Sequence, residues 1–131
     1  PRRTSFCFLE SDEKDTGIMS NYHKPTPVQI GICEKYQSKI IPYSENEMVA
    51  VALESIGKQP IYGTRIQKKN DNNVTWFFHC GEYSDDEGFY KPIHVIHLRD
   101  FIPEVENYLC LDYGFKIIVD ANGYEDVWRD V

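Results

Sequence analysis

The sequence predicts a single compact α+β domain with a mostly antiparallel sheet and two or three helices. The 131 residues, 41% of them hydrophobic, are enough to form one core without metal ions or disulfides. About five or six segments have strand character, and they do not alternate regularly with helices as in a parallel α/β fold. No repeat or linker interrupts residues 1–131, so we expect one domain over that whole range.

The first part of the chain is predicted to contain short strands. Residues 5–9 have strand character, and residues 11–24 form a polar loop. Alternating apolar residues predict a strand over 28–33, and a further extended piece is expected at 39–41.

The most regular helical pattern begins after Pro42. Ser44 and Glu47 have the spacing of a capping box, and an apolar stripe at helical period follows from Met48 to Ile56. Gly57 is predicted to end this helix.

Two strands, at 60–67 and 74–80, flank a polar stretch, 68–73, that suits a hairpin loop. Residues 96–111 are helical in pattern, but a proline does not fit a regular helix interior. We therefore expect a short helix that ends near Phe101 and a second helix with Pro103 in its first turn, continuing to about Leu109.

A hairpin is predicted at the end of the chain, where residues 115–120 and 124–128 flank Asn122 and Gly123. A two-residue loop and a three-residue loop with Gly123 left-handed would present opposite faces of the second strand to the core. The sequence leaves both registers open.

Composition excludes several classes of partner. A net charge of −7 and a pI of about 5.0 oppose binding to nucleic acid or anionic lipid and favour a basic protein surface. There is no apolar run of membrane-spanning length and no basic-then-apolar leader, so we expect no membrane partner and a cytoplasmic location.

Four cysteines, Cys7, Cys33, Cys80 and Cys110, occur singly in apolar surroundings. Reduced, buried thiols are expected, although the even count also permits two disulfides in a secreted protein.

A metal site or other cofactor is not predicted. The nearest zinc candidates are Cys80, His94 and His97, with His79 adjacent, but a second short-spaced ligand pair is missing. The acidic stretch before Gly88 fails as a calcium loop because Ile96 stands where the bidentate glutamate belongs.

Catalysis is not predicted either. The sequence contains no nucleophile elbow and no glycine-rich phosphate loop. The enzyme-class alternative is a hydrolase that uses Glu82, Asp85, Asp86 or His94.

Aromatic and acidic residues are interleaved in two segments, 82–90 and 124–128. This composition is typical of a protein-binding surface, where tyrosines give rigid contact area and carboxylates steer a basic partner. A solvated acidic face with aromatics in the core is the alternative. The predicted partner-binding residues are Glu82, Tyr83, Asp85, Asp86, Glu87, Tyr90, Tyr124, Glu125 and Asp126.

A family resemblance covers residues 76–128. Its most specific parts are the aromatic run from Trp76 to Phe78 leading into Gly81 and Glu82, and the closing stretch from Gly123 to Trp128. These residues resemble immunity protein family thirty-three, a bacterial family of polymorphic-toxin immunity proteins.

The resemblance implies a non-enzymatic inhibitor that neutralises a cognate secreted toxin by direct binding. We expect a tight stoichiometric complex in which the protein occludes the toxin's active site by covering its catalytic cleft or substrate path. A generic interaction or regulatory module is the alternative within the binding class.

Overall fold

A computed structural model of the chain describes residues 23–67 and 74–129. These residues form one six-stranded sheet, one α-helix and three short 3-10 helices. The strands are β1 (Met48–Val51), β2 (Ile61–Arg65), β3 (Val74–Cys80), β4 (Lys91–His94), β5 (Phe115–Val119) and β6 (Glu125–Arg129), and the helices are α1 (Pro27–Lys35), η1 (Leu53–Ser55), η2 (Val95–Asp100) and η3 (Pro103–Tyr108).

The strand order across the sheet is β4-β1-β3-β2-β5-β6. The β1–β3 pair is parallel, whereas the other four neighbouring pairs are antiparallel. This architecture confirms the prediction of a single α+β domain with a mostly antiparallel sheet.

The hydrophobic core lies between one face of the sheet and α1, η2 and η3. Alternation along β3 places Trp76, Phe78 and Cys80 on this face, each exposed by 1% or less. Cys33 of α1 and Leu98 of η2 belong to the same buried cluster. The described helices therefore pack on the sheet face that carries Trp76, Phe78 and Cys80.

The strand predicted over 28–33 is wrong, because this segment forms α1. Thr26 caps the helix, its hydroxyl accepting a hydrogen bond from the Gln29 backbone at 3.1 Å while the Gln29 side chain accepts one from the Thr26 backbone at 3.0 Å. Pro27 fits the first helical turn. The buried face consists of Gln29 and Cys33, whereas Val28, which the alternation placed inside, is 54% exposed.

The long helix predicted from Ser44 to Gly57 is also wrong, since the segment contains β1 and η1. The Ser44 backbone N–H donates to the Glu47 carboxylate, and the Glu47 N–H donates to the Ser44 carbonyl oxygen at 3.0 Å. These bonds close a turn instead of starting a helix. Residues 49–52 are buried on every side, which is the pattern of a central strand.

Most of the second half of the fold agrees with the sequence, although β4 was not predicted. β2 and β3 pair antiparallel, and η2 and η3 are separated near Pro103 as expected. Residues 39–41 belong to no strand, although the Ile41 N–H donates to the Cys110 carbonyl oxygen at 2.8 Å. The predictions for residues 5–9, for most of 11–24 and for the loop at 68–73 lie outside the described residues.

The register of the last hairpin is the three-residue alternative. Val119 pairs with Glu125, and the Asp120 N–H donates to the Tyr124 carbonyl oxygen. Gly123 has a φ of 95°, a conformation that glycine adopts without a side-chain clash. This register places Val127 in the core.

Candidate protein-binding surface

The loop 81–90 and the start of the segment 124–128 lie at the same end of the sheet, whereas Trp128 pairs with Lys116 toward the other end of β5. Cys80 at the end of β3 pairs with Ile61, and Ile61 pairs with Val119 at the end of β5. The loop 81–90 and the turn 120–124 therefore leave the sheet side by side, two strand spacings or about 10 Å apart. We call this region the loop end.

Hydrogen bonds join these segments through the connection between η1 and β2. The Gly81 N–H donates to the Pro60 carbonyl oxygen at 2.8 Å, and the Ala121 N–H donates to the Gln59 side-chain oxygen at 3.0 Å. Within the turn, the Asp120 carboxylate accepts from the backbone of Asn122 at 2.8 Å and of Tyr124 at 2.9 Å. The loop end is thus a connected surface.

Most of the predicted partner-binding residues are exposed at the loop end. Tyr83 is 62% exposed and Tyr124 is 53% exposed. The exposed carboxylates are those of Glu82, Asp85, Asp86, Glu87 and, on β6, Asp126. Two predicted residues differ, because Tyr90 and Glu125 are only partly exposed.

The Glu125 carboxylate makes internal contacts. It accepts hydrogen bonds from the hydroxyls of Tyr108, at 2.5 Å, and Tyr36, and it forms an ion pair with Lys35 at 2.8 Å. Burial works against ionisation, but the bonds from Lys35, Tyr108 and Tyr36 outweigh it and lower the pKa of Glu125 to about 2. Glu125 therefore joins β6 to α1 and η3.

Tyr90 belongs to a cluster of rings that the sequence reasoning did not identify. Tyr62 stacks on His79 with a centroid distance of 4.7 Å, and Tyr90 contacts Phe77 and Phe89 at 5.0 Å each. Tyr83 contacts His79 at 5.7 Å and Phe89 at 5.5 Å. We call this group the aromatic platform; it comprises Tyr62, Phe77, His79, Tyr83, Phe89 and Tyr90.

The sequence contained a signal for part of this platform. In β3, Phe77 and His79 alternate with the core residues Trp76 and Phe78, so they must point to the other face of the sheet. Tyr62 pairs directly with His79 and therefore shares that face. The contacts of Phe77 and His79 with rings of the loop 81–90 depend on tertiary structure and could not be predicted.

A cleft of about 490 Å³ separates the loop from η1. Glu54, Glu82 and Asp86 line it together with Lys58 and Lys91, and Tyr83 and Phe89 contribute aromatic surface. Two residues of the hydrolase alternative, Glu82 and Asp86, line this cleft, whereas His94 lies at the far end of β4 from Lys91.

Comparison with known proteins identifies the family. The sequence pattern of the Imm33-like domain matches residues 28–130, a range that spans every described helix and strand except the first residue of α1. The chain belongs to the Imm33-like domain family. Neither the curated proteins nor the solved structures contain a match.

The cysteines of this Imm33-like domain that lie among the described residues, Cys33, Cys80 and Cys110, are buried free thiols. Burial raises the pKa of Cys33 to about 11 and that of Cys110 to about 12. Burial also raises the pKa of Cys80, so these thiols are protonated at neutral pH.

The described part of the Imm33-like domain contains no group of three or more His, Cys, Asp or Glu side chains that could hold a metal ion. His94 and His97 are neighbours, with ring centroids 6.3 Å apart. None of the described helices is long and apolar enough to cross a membrane.

Proposed function

We propose that this protein is an immunity protein that binds and neutralises a cognate bacterial toxin. The observation that carries the proposal is membership of the Imm33-like domain family over residues 28–130. The protein acts stoichiometrically and without catalysis, in the cytoplasm of the cell that makes it. The absence of a nucleophile elbow or a phosphate loop from the sequence is in keeping with this role.

The loop end is the proposed docking surface, and it occludes the active site of the toxin. Its exposed tyrosines, Tyr83 and Tyr124, supply contact area that loses little side-chain freedom on binding. Its carboxylates, with a net charge of −7 on the chain, favour a toxin with a basic surface. Fast capture is useful to an inhibitor that must act before damage accumulates.

The contacts made within the domain refine the role of two predicted residues. Glu125 is already bound by two tyrosine hydroxyls and a lysine, so it holds β6 in place and leaves direct contact to Asp126. The Tyr90 ring lies beside that of Tyr83 in the aromatic platform, with a centroid distance of 6.5 Å, and restrains it.

Affinity purification from the source organism tests the proposal. The tagged chain should retain one toxin domain, identified by mass spectrometry, and the purified pair should elute as a complex of fixed stoichiometry. We expect an interface of about 1,600 Å² or more, as in other specific complexes. Recovery of a metabolic enzyme and no toxin would instead indicate a regulatory module.

A further inference from the structure

The sheet face opposite the helices carries apolar surface outside the hydrophobic core. Tyr62 on β2 and Phe77 and His79 on β3 are half-buried there, whereas their strand neighbours Phe78 and Cys80 are fully buried on the other side. The aromatic platform thus extends from the loop 81–90 onto this face.

The rings of the platform hold one another in place. Tyr83 is 62% exposed, yet its ring touches those of His79, Phe89 and Tyr90. An aromatic side chain that is exposed and already restrained loses little conformational freedom on binding, which is the property of an interface anchor.

The platform is apolar at its centre and acidic at its edge. Burial lowers the pKa of His79, so its ring is neutral at pH 7. The exposed carboxylates of Glu82, Asp85, Asp86 and Glu87 lie in the loop that carries Tyr83. An apolar centre surrounded by charged groups is the usual organisation of a protein–protein interface.

We propose that the aromatic platform is the apolar centre of the toxin interface, with the loop carboxylates as its rim. This inference rests on the proposed immunity function. The occupant is an apolar patch of the toxin domain bordered by lysine or arginine side chains, since those charges complement the acidic rim. The interface then extends from the loop end onto the face of β2 and β3 opposite the helices.

Photo-crosslinking identifies the occupant of the platform. A benzophenone amino acid is placed at position 62 of the full chain, and a control at position 101, where Phe101 is 41% exposed at the end of η2. Irradiation of the toxin complex should link position 62 to the toxin, and position 101 should give no such product. A link from position 62 to a second copy or to another segment of the same chain would overturn the proposal.

Dissociation kinetics give a second readout. Tyr62→Ala and Tyr83→Ala should each raise the dissociation rate of the toxin complex by at least about tenfold and change the association rate by less than about twofold. Tyr62→Phe retains the ring, so its toxin complex should dissociate at the original rate. This variant is the control for substitution at position 62. Far-ultraviolet circular dichroism and the midpoint of thermal unfolding show whether each variant is folded.

The outcomes separate this inference from the proposed function. If the unmodified chain forms no complex with a toxin, the immunity function itself fails. If that complex forms but position 62 does not crosslink and Tyr62→Ala dissociates at the original rate, the loop end alone binds the toxin and the platform proposal is overturned.

Discussion

Glu125 connects three parts of the fold through one carboxylate. Its partners are Lys35 at the end of α1, Tyr36 just beyond it, and Tyr108 at the end of η3. Sequence reasoning grouped Glu125 with Asp126 because both are acidic neighbours beside Tyr124. Their alternation along β6 separates them, since one side chain faces the helices and the other faces away from them.

Replacing Glu125 by glutamine should destabilise the domain by about 1.5–3 kcal/mol, the range for hydrogen bonds to a charged group. The matched control is Asp126→Asn, which removes an exposed charge from the next residue and should change stability little. Urea unfolding at pH 7 measures both differences. Equal effects of the two variants would contradict the assigned role of Glu125.

The ionisation of Glu125 also predicts how the stability of the domain depends on pH. The pKa of Glu125 falls from an ordinary 4.5 to about 2 in the folded chain, so ionisation stabilises the folded state. That contribution is complete above about pH 4.5 and is lost as the pH falls through 2. The stability difference between the original chain and Glu125→Gln should therefore shrink steadily below pH 4.5. A difference that stays constant down to pH 3 would contradict this account.

Gly63 lies where β2 passes between two large side chains of the core. A Cβ atom at this position would stand 2.7 Å from a ring carbon of Phe78 and 2.9 Å from Ile117. Gly63→Ala should therefore destabilise the domain by about 1–3 kcal/mol through overpacking. Gly31→Ala is the control, because a Cβ atom at Gly31 on α1 would have no other atom within 4 Å. Alanine is also more favourable than glycine in a helix by up to about 1 kcal/mol. Thermal unfolding should shift in opposite directions for the two variants.

At the scale of elements, α1 depends on its N-terminal cap and on a buried amide. Gln29 is 1% exposed, and its side-chain nitrogen donates to the Glu106 carbonyl oxygen at 2.8 Å and to the Tyr43 hydroxyl at 3.3 Å. Its oxygen accepts from the Thr26 backbone. One residue thus starts the helix and attaches it to η3.

Thr26→Ala should cost about 1 kcal/mol, because the Gln29 backbone N–H loses its hydroxyl acceptor. Thr26→Ser retains the hydroxyl and should restore most of that stability. Chemical unfolding of the two variants measures the effect. If alanine and serine gave the same stability at this position, the cap would contribute nothing.

The elements that the sequence predicted well are those defined by local signals. Asn122 and Gly123 marked a hairpin, and Pro103 separated two short helices. The register of the hairpin could not be predicted, because it depends on which residues of the last strand are buried in the core. The three-residue loop is the one that buries Val127.

The two wrong elements share a physical cause. A capping-box spacing specifies a local turn, and both Thr26–Gln29 and Ser44–Glu47 form one. Whether a helix follows depends on where the next residues are buried. After Glu47 the chain enters the sheet between β3 and β4, and those neighbours are distant in sequence.

At the scale of the whole molecule, the sequence identified the residues of the candidate surface but not their arrangement. The segments 82–90 and 124–128 were separate candidates, and strand pairing places the first segment and the start of the second at one end of the sheet. Tyr62, Phe77 and His79 were missed because their grouping with Tyr83 depends on pairing between β2 and β3 and on the path of the following loop.

Charge should act mainly on the rate of association. Reversing Asp85 and Asp86 to lysine changes the net charge from −7 to −3, since each substitution replaces −1 with +1. This double variant should bind the toxin more slowly at low salt, and the difference should shrink as salt rises. Reversing the exposed Glu45 and Asp100 gives the same net charge and should slow binding less, since Glu45 precedes β1 at the end of the sheet opposite the loop end. Equal rates for the two double variants in stopped-flow experiments would show that the 85–86 carboxylates do not steer docking.

Growth rescue tests the central claim most directly. The toxin domain recovered by affinity purification is expressed in a host cell with or without this chain. We predict that the toxin alone stops growth, that co-expression of the chain restores it, and that the two proteins then elute together. Continued growth arrest with a folded chain that elutes apart from the toxin would contradict the account.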